Sequence, residues 1–172
     1  ISATAKLTGF PAKLNGTADV SILAPDAAPL FALLGEKFPQ AAFLSTLSDR
    51  ALLYPDLFAD TKIDLFGSLS GDAGAPETSV SYSASLGKGV YSGTATLKGG
   101  FADIAATGIK ATLEGKHEDA LALLTLAGVP TLPVGSPGAG AVQGEIEGTL
   151  KGGLTLKAKA TAEAVTGEIS GV

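Results

Sequence analysis

The chain contains no cysteine, no methionine and no tryptophan among its 172 residues, and it has a single histidine. Without cysteine it cannot form disulfides, thiolate metal sites or a cysteine nucleophile. One histidine, His117, with Asp119 two residues later, does not supply the ligands of a zinc site. The missing residue types therefore exclude thiol chemistry and disfavour a zinc enzyme.

Charge is also scarce, at 17% of residues, and 12 basic against 17 acidic residues give a net charge of −5. No Lys/Arg cluster is present, so nucleic acid and anionic membrane surfaces are poor candidate partners. No apolar run approaches the roughly 18 to 20 residues that cross a bilayer, and no signal peptide is recognisable. Because the chain starts at Ile1 without methionine, we expect a piece of a longer protein or a mature product, separated from any targeting or anchoring segment.

Glycine is abundant, with 23 residues, whereas aromatic residues make up only 6%. Small and β-branched residues of this kind suit strands and tight turns better than a helical bundle. The length suffices for one domain of ordinary size. Composition therefore favours a mainly-β domain, or α+β by a strict count.

Alternation of apolar and polar residues predicts about nine or ten strands. In residues 12–22 the even positions are small or apolar and the odd positions are polar, which gives a strand one dry face and one wet face. Short glycine turns at Gly87–Gly89 and Gly152–Gly153 join neighbouring segments, so the strands are expected to be mostly antiparallel. The same alternation occurs in residues 3–7, 63–69, 80–86, 91–97, 109–113, 142–150, 154–162 and 165–169.

Two short helices interrupt this pattern. The first is predicted after the capping residue Asp26 and ends at Gly35, and the second begins near Glu118 and ends at Gly128. Residues 41–47 fit either a strand or a helix, and the pattern leaves both open.

The strand and helix pattern occurs twice. SATAKL at Ser2 aligns with SGTATL at Ser92, and each leads through a further strand and an acidic cap into a Leu-rich helix. The sequence therefore predicts a single β-rich domain over residues 1–172, built from two related units of about 2–90 and 92–172.

No constellation of residues predicts catalysis. His117, in GKHEDA, is expected to be a solvated residue beside a helix N-terminus. Glu145 and Glu147 share the polar face of a strand, which favours a solvated strand over a paired-carboxylate glycosidase site. The sequence thus predicts no catalytic residue, no metal site and no cofactor, and a hydrolase working through Glu145 or His117 is the least favoured alternative.

Two short helices can cover only part of the apolar face that about ten strands present. One alternative is a sheet that closes into a barrel or sandwich and buries this face internally. The other is a curved, partly open, barrel-like trough whose dry lining accepts an apolar ligand such as lipid tails. An outer-membrane barrel is disfavoured because aromatic girdles are missing.

The segment AKLNGTADVSIL, followed by APDAAPLFALLG and later by LSDRALLYPDLFADTKIDLFGSLSG, resembles the repeats of AsmA-like proteins of the Gram-negative cell envelope. In that family a strand leads into a short helix, and a later strand ends in a G-S-L element. The resemblance covers Ser2 to about Gly71 and, more loosely, Ser92 to about Gly148. The second copy departs from the first, with EGKHEDA in place of APDAAP and GEIEGTL as its G-S-L element.

The resemblance implies a periplasmic segment of a protein anchored in the inner membrane of a Gram-negative bacterium. It also implies an elongated sheet with a hydrophobic groove, a role in phospholipid transport between the membranes, and a role in outer-membrane assembly. Phospholipid or another acyl-chain ligand, together with other envelope proteins, are the implied partners. The family brings no catalytic or cofactor residues. A structural or adhesive β-repeat domain with a fully internal apolar core is the alternative function.

Periodicity, rather than the resemblance, predicts which residues line the groove. Seventeen large side chains occupy the dry faces of the predicted strands: Leu14, Val20, Ile22, Ile63, Leu65, Leu69, Val80, Tyr82, Leu86, Leu97, Ile109, Leu113, Val142, Ile146, Leu150, Leu154 and Leu156.

Overall fold

The computed structural model describes residues 1–9, 13–37, 39, 42–72, 74–99, 106–126, 138–149, 151–163 and 165–171, with the backbone alone at 42–44, 165 and 169. Strands account for 64% of the structure, which is mainly β as the sequence predicts.

Nine strands form one sheet in the order of the sequence, and each strand is antiparallel to its neighbours. The sheet is curved and it is not closed, so the closed barrel considered from sequence is not formed by the described residues. The strands are β1 (Ser2–Thr8), β2 (Lys13–Asp26), β3 (Ala59–Asp72), β4 (Glu77–Leu86), β5 (Gly89–Lys98), β6 (Gly108–His117), β7 (Gly140–Thr149), β8 (Gly153–Ala162) and β9 (Val165–Gly171).

The described residues form three α-helices, one more than predicted, and one 3-10 turn at Pro55–Phe58. Helix α1 (Ala28–Lys37) continues two residues past its predicted end at Gly35, and α3 (Ala120–Leu126) begins where the sequence places it. The predicted end of α3 at Gly128 lies outside the described residues. Helix α2 (Ala42–Leu53) settles the ambiguous segment 41–47 as helical from residue 42.

All three helices emerge at the same end of the sheet. Helices α1 and α2 connect β2 to β3, and α3 lies between β6 and β7. Because β2 and β6 are four strands apart in an antiparallel order, they run in the same direction and their inserts leave at one edge. We call this edge the helical end. The predicted boundary between the two units, at residues 90–92, falls inside β5, in the middle of a continuous sheet.

A hydrophobic cluster at the helical end holds the helices on the sheet. Ala27, Ala28, Ala51 and Phe58 are buried together, and the Phe58 ring lies 5.0 Å from that of Phe31, centroid to centroid. The Ala27 N–H donates to the Phe58 carbonyl at 3.0 Å. Partly buried residues of β2, β4 and α3 complete the cluster: Ala24, Leu86 and Leu126.

Helix α3 approaches the sheet at a glycine. A Cβ at Gly140 would lie 2.6 Å from the Cβ of Ala120, so no larger residue can stand there unless the helix moves. The Ala120 N–H donates to the Gly138 carbonyl at 2.8 Å and fixes the start of the helix. The helices therefore cover the helical end of the sheet from β2 to β7.

Candidate functional site

The strand register places the apolar positions of all nine alternating strands on the same side of the sheet. Residues directly opposite each other on neighbouring strands share a face. One such row is Val20, Leu65, Tyr82, Gly93 and Leu113. We call this surface the apolar face; it consists of the odd-numbered residues of β1, β3, β5, β6 and β9 and the even-numbered residues of β2 (up to Ala24), β4, β7 and β8.

Sixteen of the seventeen predicted groove residues lie on the apolar face, and the seventeenth, Leu150, lies outside the described residues. The sixteen come from seven strands, β2 to β8. These residues were predicted only from their alternate positions along each strand. The structure brings them together on one continuous surface.

No Asp, Glu, Lys or Arg lies on the apolar face. Its polar members are Thr61, Thr78, Tyr82, Tyr91 and His117. The Thr61 hydroxyl donates to the Phe58 carbonyl at 2.7 Å, so this buried group is satisfied at the helical end. Away from the helices the face therefore presents hydrocarbon almost throughout.

The apolar face is buried at the helical end and has exposed large side chains further along the strands. At the helical end Thr61 is 2% exposed and His117 is 8% exposed. Further along the strands Leu113 is 41%, Ile146 is 37% and Leu156 is 41% exposed. Large apolar side chains are thus accessible to solvent on the rows that the helices do not cover.

Tyrosine rings fill the gaps that glycines leave in the centre of the face. A Cβ at Gly93 would lie 2.6 Å from Cε1 of Tyr82, and a Cβ at Gly115 would lie 2.9 Å from Cδ1 of Tyr91. Each ring therefore lies across the glycine of the next strand, an arrangement that packs an aromatic side chain onto bare backbone. The two rings therefore cover glycine backbone on β5 and β6.

The prediction that His117 is solvated is wrong. The residue ends β6 on the apolar face, where its neighbours in register are Gly89 and Gly140, and its Nδ1 accepts the Asp119 N–H at 2.9 Å. The alternation that places Ile109 and Leu113 on the apolar face continues to residue 117. This alternation could have predicted the position of His117 from the sequence.

Sequence reasoning also left Tyr91 out of the predicted groove, although it lies on the same face. Its hydroxyl oxygen is buried and has no hydrogen-bond partner in the structure. Burial raises the pKa of Tyr91 to about 12 and also raises that of Tyr82. Both phenols therefore remain neutral at physiological pH and add no charge to the apolar face.

The opposite face of the sheet is mainly polar, although the apolar side chains of Leu23, Phe66 and Val90 are exposed on it. Glu145 and Glu147 are exposed there, as expected for a solvated strand. Asp64 accepts a hydrogen bond from the Ser21 hydroxyl at 2.5 Å and pairs with Lys62 at 3.0 Å. The Ser21 hydrogen bond, followed by the contact with Lys62, lowers the pKa of Asp64, so this carboxylate stays ionised.

The sheet has shallow depressions lined mainly by side chains of the polar face. One of them lies among Gln143, Glu145, Lys157, Lys159 and Glu168. Their carboxylate, ammonium and amide groups suit water rather than an apolar ligand. A ligand of the apolar face would lie on an open surface, on the other side of the sheet.

Within the described part of the chain, no group of three or more His, Asp and Glu side chains is placed to hold a metal ion. None of the helices in that part has the length and hydropathy needed to cross a membrane.

Comparison with known proteins gave no match to a family model, to a curated protein sequence or to a solved structure. Only the sequence resemblance therefore points to AsmA-like proteins.

Proposed function

We propose that this chain is a non-enzymatic module of an AsmA-like cell-envelope protein and that its apolar face is a groove for phospholipid acyl chains. One observation carries the proposal: the predicted groove residues that the structure describes share an uncharged face that remains open away from the helical end. A soluble domain rarely exposes such a surface unless something binds there.

The chemistry of the face matches hydrocarbon and offers nothing to a headgroup. Each methylene that moves from water onto apolar side chains gains about 0.8 kcal/mol. Nine strands at about 4.8 Å spacing give the face a width of about 38 Å. Half of a bilayer core is only about 15 Å thick, so the face is wide enough for more than one acyl chain end to end. Transport along it would be passive, with no bond made or broken.

The helices give the proposed groove one wall. Helices α1 and α2 cover the ends of β2 and β4, α3 contacts β6 and β7, and Leu126 of α3 joins the same hydrophobic cluster. An acyl chain lying beside this wall would run across the strands and would contact successive strands in turn. Its headgroup would project away from the sheet into water.

The cellular setting of the proposal follows the resemblance. We infer a periplasmic location, within a protein anchored in the inner membrane of a Gram-negative bacterium, and a contribution to phospholipid transport and outer-membrane biogenesis. An adhesive or structural domain with a fully internal apolar core is less well supported, because Leu113, Ile146 and Leu156 are all more than one-third exposed.

Photo-crosslinking tests the proposal with residue resolution. A benzophenone amino acid is placed at Val80 on the apolar face or at its neighbour Ser81 on the polar face of the same strand. After delipidation, the protein is incubated with fluorescent phosphatidylethanolamine and illuminated. We expect strong labelling from position 80 and background labelling from position 81. Equal labelling, or no lipid adduct by native mass spectrometry, would refute an acyl-chain groove.

A further inference from the structure

The chain exposes more surface than a folded monomer of its mass normally does. Its accessible surface is 10,638 Å², whereas a compact monomer of 17.0 kDa is expected to expose about 7,700 Å². The apolar face contributes to this excess, because its rows beyond the helices are partly exposed. In water without lipid, such a surface favours association.

The open part of the apolar face has the area that a stable dimer needs. Its width across the nine strands is about 38 Å. Beyond the row that the helices cover, the face has four rows of side chains. Neighbouring rows are two residues, or about 6.8 Å, apart, so the first and the last of the four are about 20 Å apart along the strands. The product is about 760 Å², close to the roughly 800 Å² that each partner buries in a standard interface.

A second copy of the same face is also chemically complementary to it. The face carries no Asp, Glu, Lys or Arg, so pairing two copies buries no carboxylate, ammonium or guanidinium group. Two sheets stack about 10 Å apart with their strands within about 30° of alignment. The helices rise from one end of the face and would collide if both helical ends lay together. A two-fold arrangement with the helical ends at opposite sides avoids this collision.

We propose that, without an acyl ligand, two copies of this chain bury their apolar faces against each other, and that an acyl ligand separates them. The dimer follows from area and chemistry, whereas the competition also rests on the proposed function. Because both occupants need the same surface, ligand binding and dimerisation must weaken each other reciprocally. The dimer would shield the groove whenever lipid is absent.

Analytical ultracentrifugation of the delipidated chain over a range of concentrations tests the dimer. Leu156→Asp places a charge on the apolar face, and Thr155→Asp places the same residue on the polar face of the same strand. We expect a wild-type dimer whose dissociation constant rises about 100-fold in Leu156→Asp, because the interface would bury an unpaired carboxylate. In Thr155→Asp it should change by no more than about twofold. A monomer at all concentrations, or equal weakening in both variants, overturns the proposal.

A second measurement tests the dimer even if the Leu156→Asp variant does not fold. The chain has no tryptophan, so Leu156→Trp and Thr155→Trp each report from one face alone. On raising the protein concentration, emission from position 156 should shift to the blue and that from position 155 should not. Absence of a shift at position 156 contradicts a face-to-face dimer.

Titration with a short-chain phosphatidylcholine below its micelle concentration tests the competition. We expect dimers to convert to lipid-bound monomers. Dimers that persist while lipid binds refute the competition alone. A lipid-labelled chain that is monomeric even without lipid refutes the dimer and leaves the proposed function intact, whereas a dimer that lipid never labels refutes the proposed function.

Discussion

The two ends of the apolar face differ in accessibility although the same strands form both. On β6, His117 at the helical end is 8% exposed, whereas Leu113, four residues earlier on the same face, is 41% exposed. The alternation is identical in the two places, and only the helices differ. Strand periodicity therefore determines which side of the sheet is apolar, and the inserted helices determine how much of that side is buried.

If the proposed function holds, this difference separates stability from binding within one surface. The cluster around Phe58 fastens α1, α2 and the 3-10 turn to the sheet. The rows of the apolar face that the helices do not cover, which we call the open rows, are less buried and remain accessible to solvent. We therefore expect substitutions at the helical end to lower the free energy of unfolding, and substitutions on the open rows to alter ligand binding.

Phe58→Ala should produce the largest loss of stability. The ring is fully buried and packs against Phe31, so its removal leaves a cavity and should lower the free energy of unfolding by about 3–5 kcal/mol. Leu113→Ala, on the open rows, should lower it by only about 1 kcal/mol. Urea denaturation followed by circular dichroism measures both. Equal losses would show that the open rows are as well packed as the helical end.

Two glycines in the same row of the apolar face should respond differently to alanine. A Cβ at Gly93 would lie 2.3 Å from the Thr112 carbonyl oxygen and 2.6 Å from the Tyr82 ring, so Gly93→Ala should destabilise by about 1–3 kcal/mol. At Gly144 no atom lies closer than 3.8 Å, and Gly144→Ala should stabilise by about 0.5 kcal/mol. Thermal unfolding distinguishes them. A neutral Gly93→Ala would mean that the Tyr82 ring does not rest on the glycine backbone.

Tyr91→Phe should have a small effect, and that effect should be stabilising. The substitution removes a buried hydroxyl that has no hydrogen-bond partner, and we expect a gain of about 1 kcal/mol at neutral pH. Unchanged or reduced stability at pH 7 would indicate that the hydroxyl is satisfied in solution.

The same variant should change the alkaline stability of the protein. The pKa of Tyr91 rises from 10.0 to about 12 on burial, so the unfolded chain loses this proton at a lower pH than the folded one. The free energy of unfolding should therefore hold below about pH 10 and fall between about pH 10 and 12. Tyr91→Phe should lack this part of the alkaline loss, and identical pH profiles for both proteins would contradict the burial of the phenol.

The sequence predicted the strands and their common face because alternation is a direct consequence of strand geometry. All nine strands appear where the pattern places them, and the sixteen predicted groove residues that the structure describes share one side. The same alternation also places His117 of β6 and Tyr91 of β5 on the apolar face, although neither was among the predicted groove residues.

Other features depend on contacts between distant segments. Residues 41–47 are too short an apolar run to separate a helix from a strand by period, and packing between α1 and α2 decides for the helix. Alternation also does not predict whether the sheet closes. An apolar face has the same sequence pattern whether a second sheet, a helix or a ligand covers it. Pairing of β1 with β9 would have closed the sheet, and the described residues of these two strands do not pair.

Quenching of a single introduced tryptophan by brominated phospholipid tests the central claim most directly. Ile146 and Glu145 are adjacent exposed residues of β7 on opposite faces, and the chain has no other tryptophan. We predict that brominated phosphatidylcholine, supplied below its micelle concentration, quenches the fluorescence of Ile146→Trp and leaves that of Glu145→Trp unchanged. Equal quenching at both positions, or quenching of Glu145→Trp alone, would contradict an acyl-chain site on the apolar face.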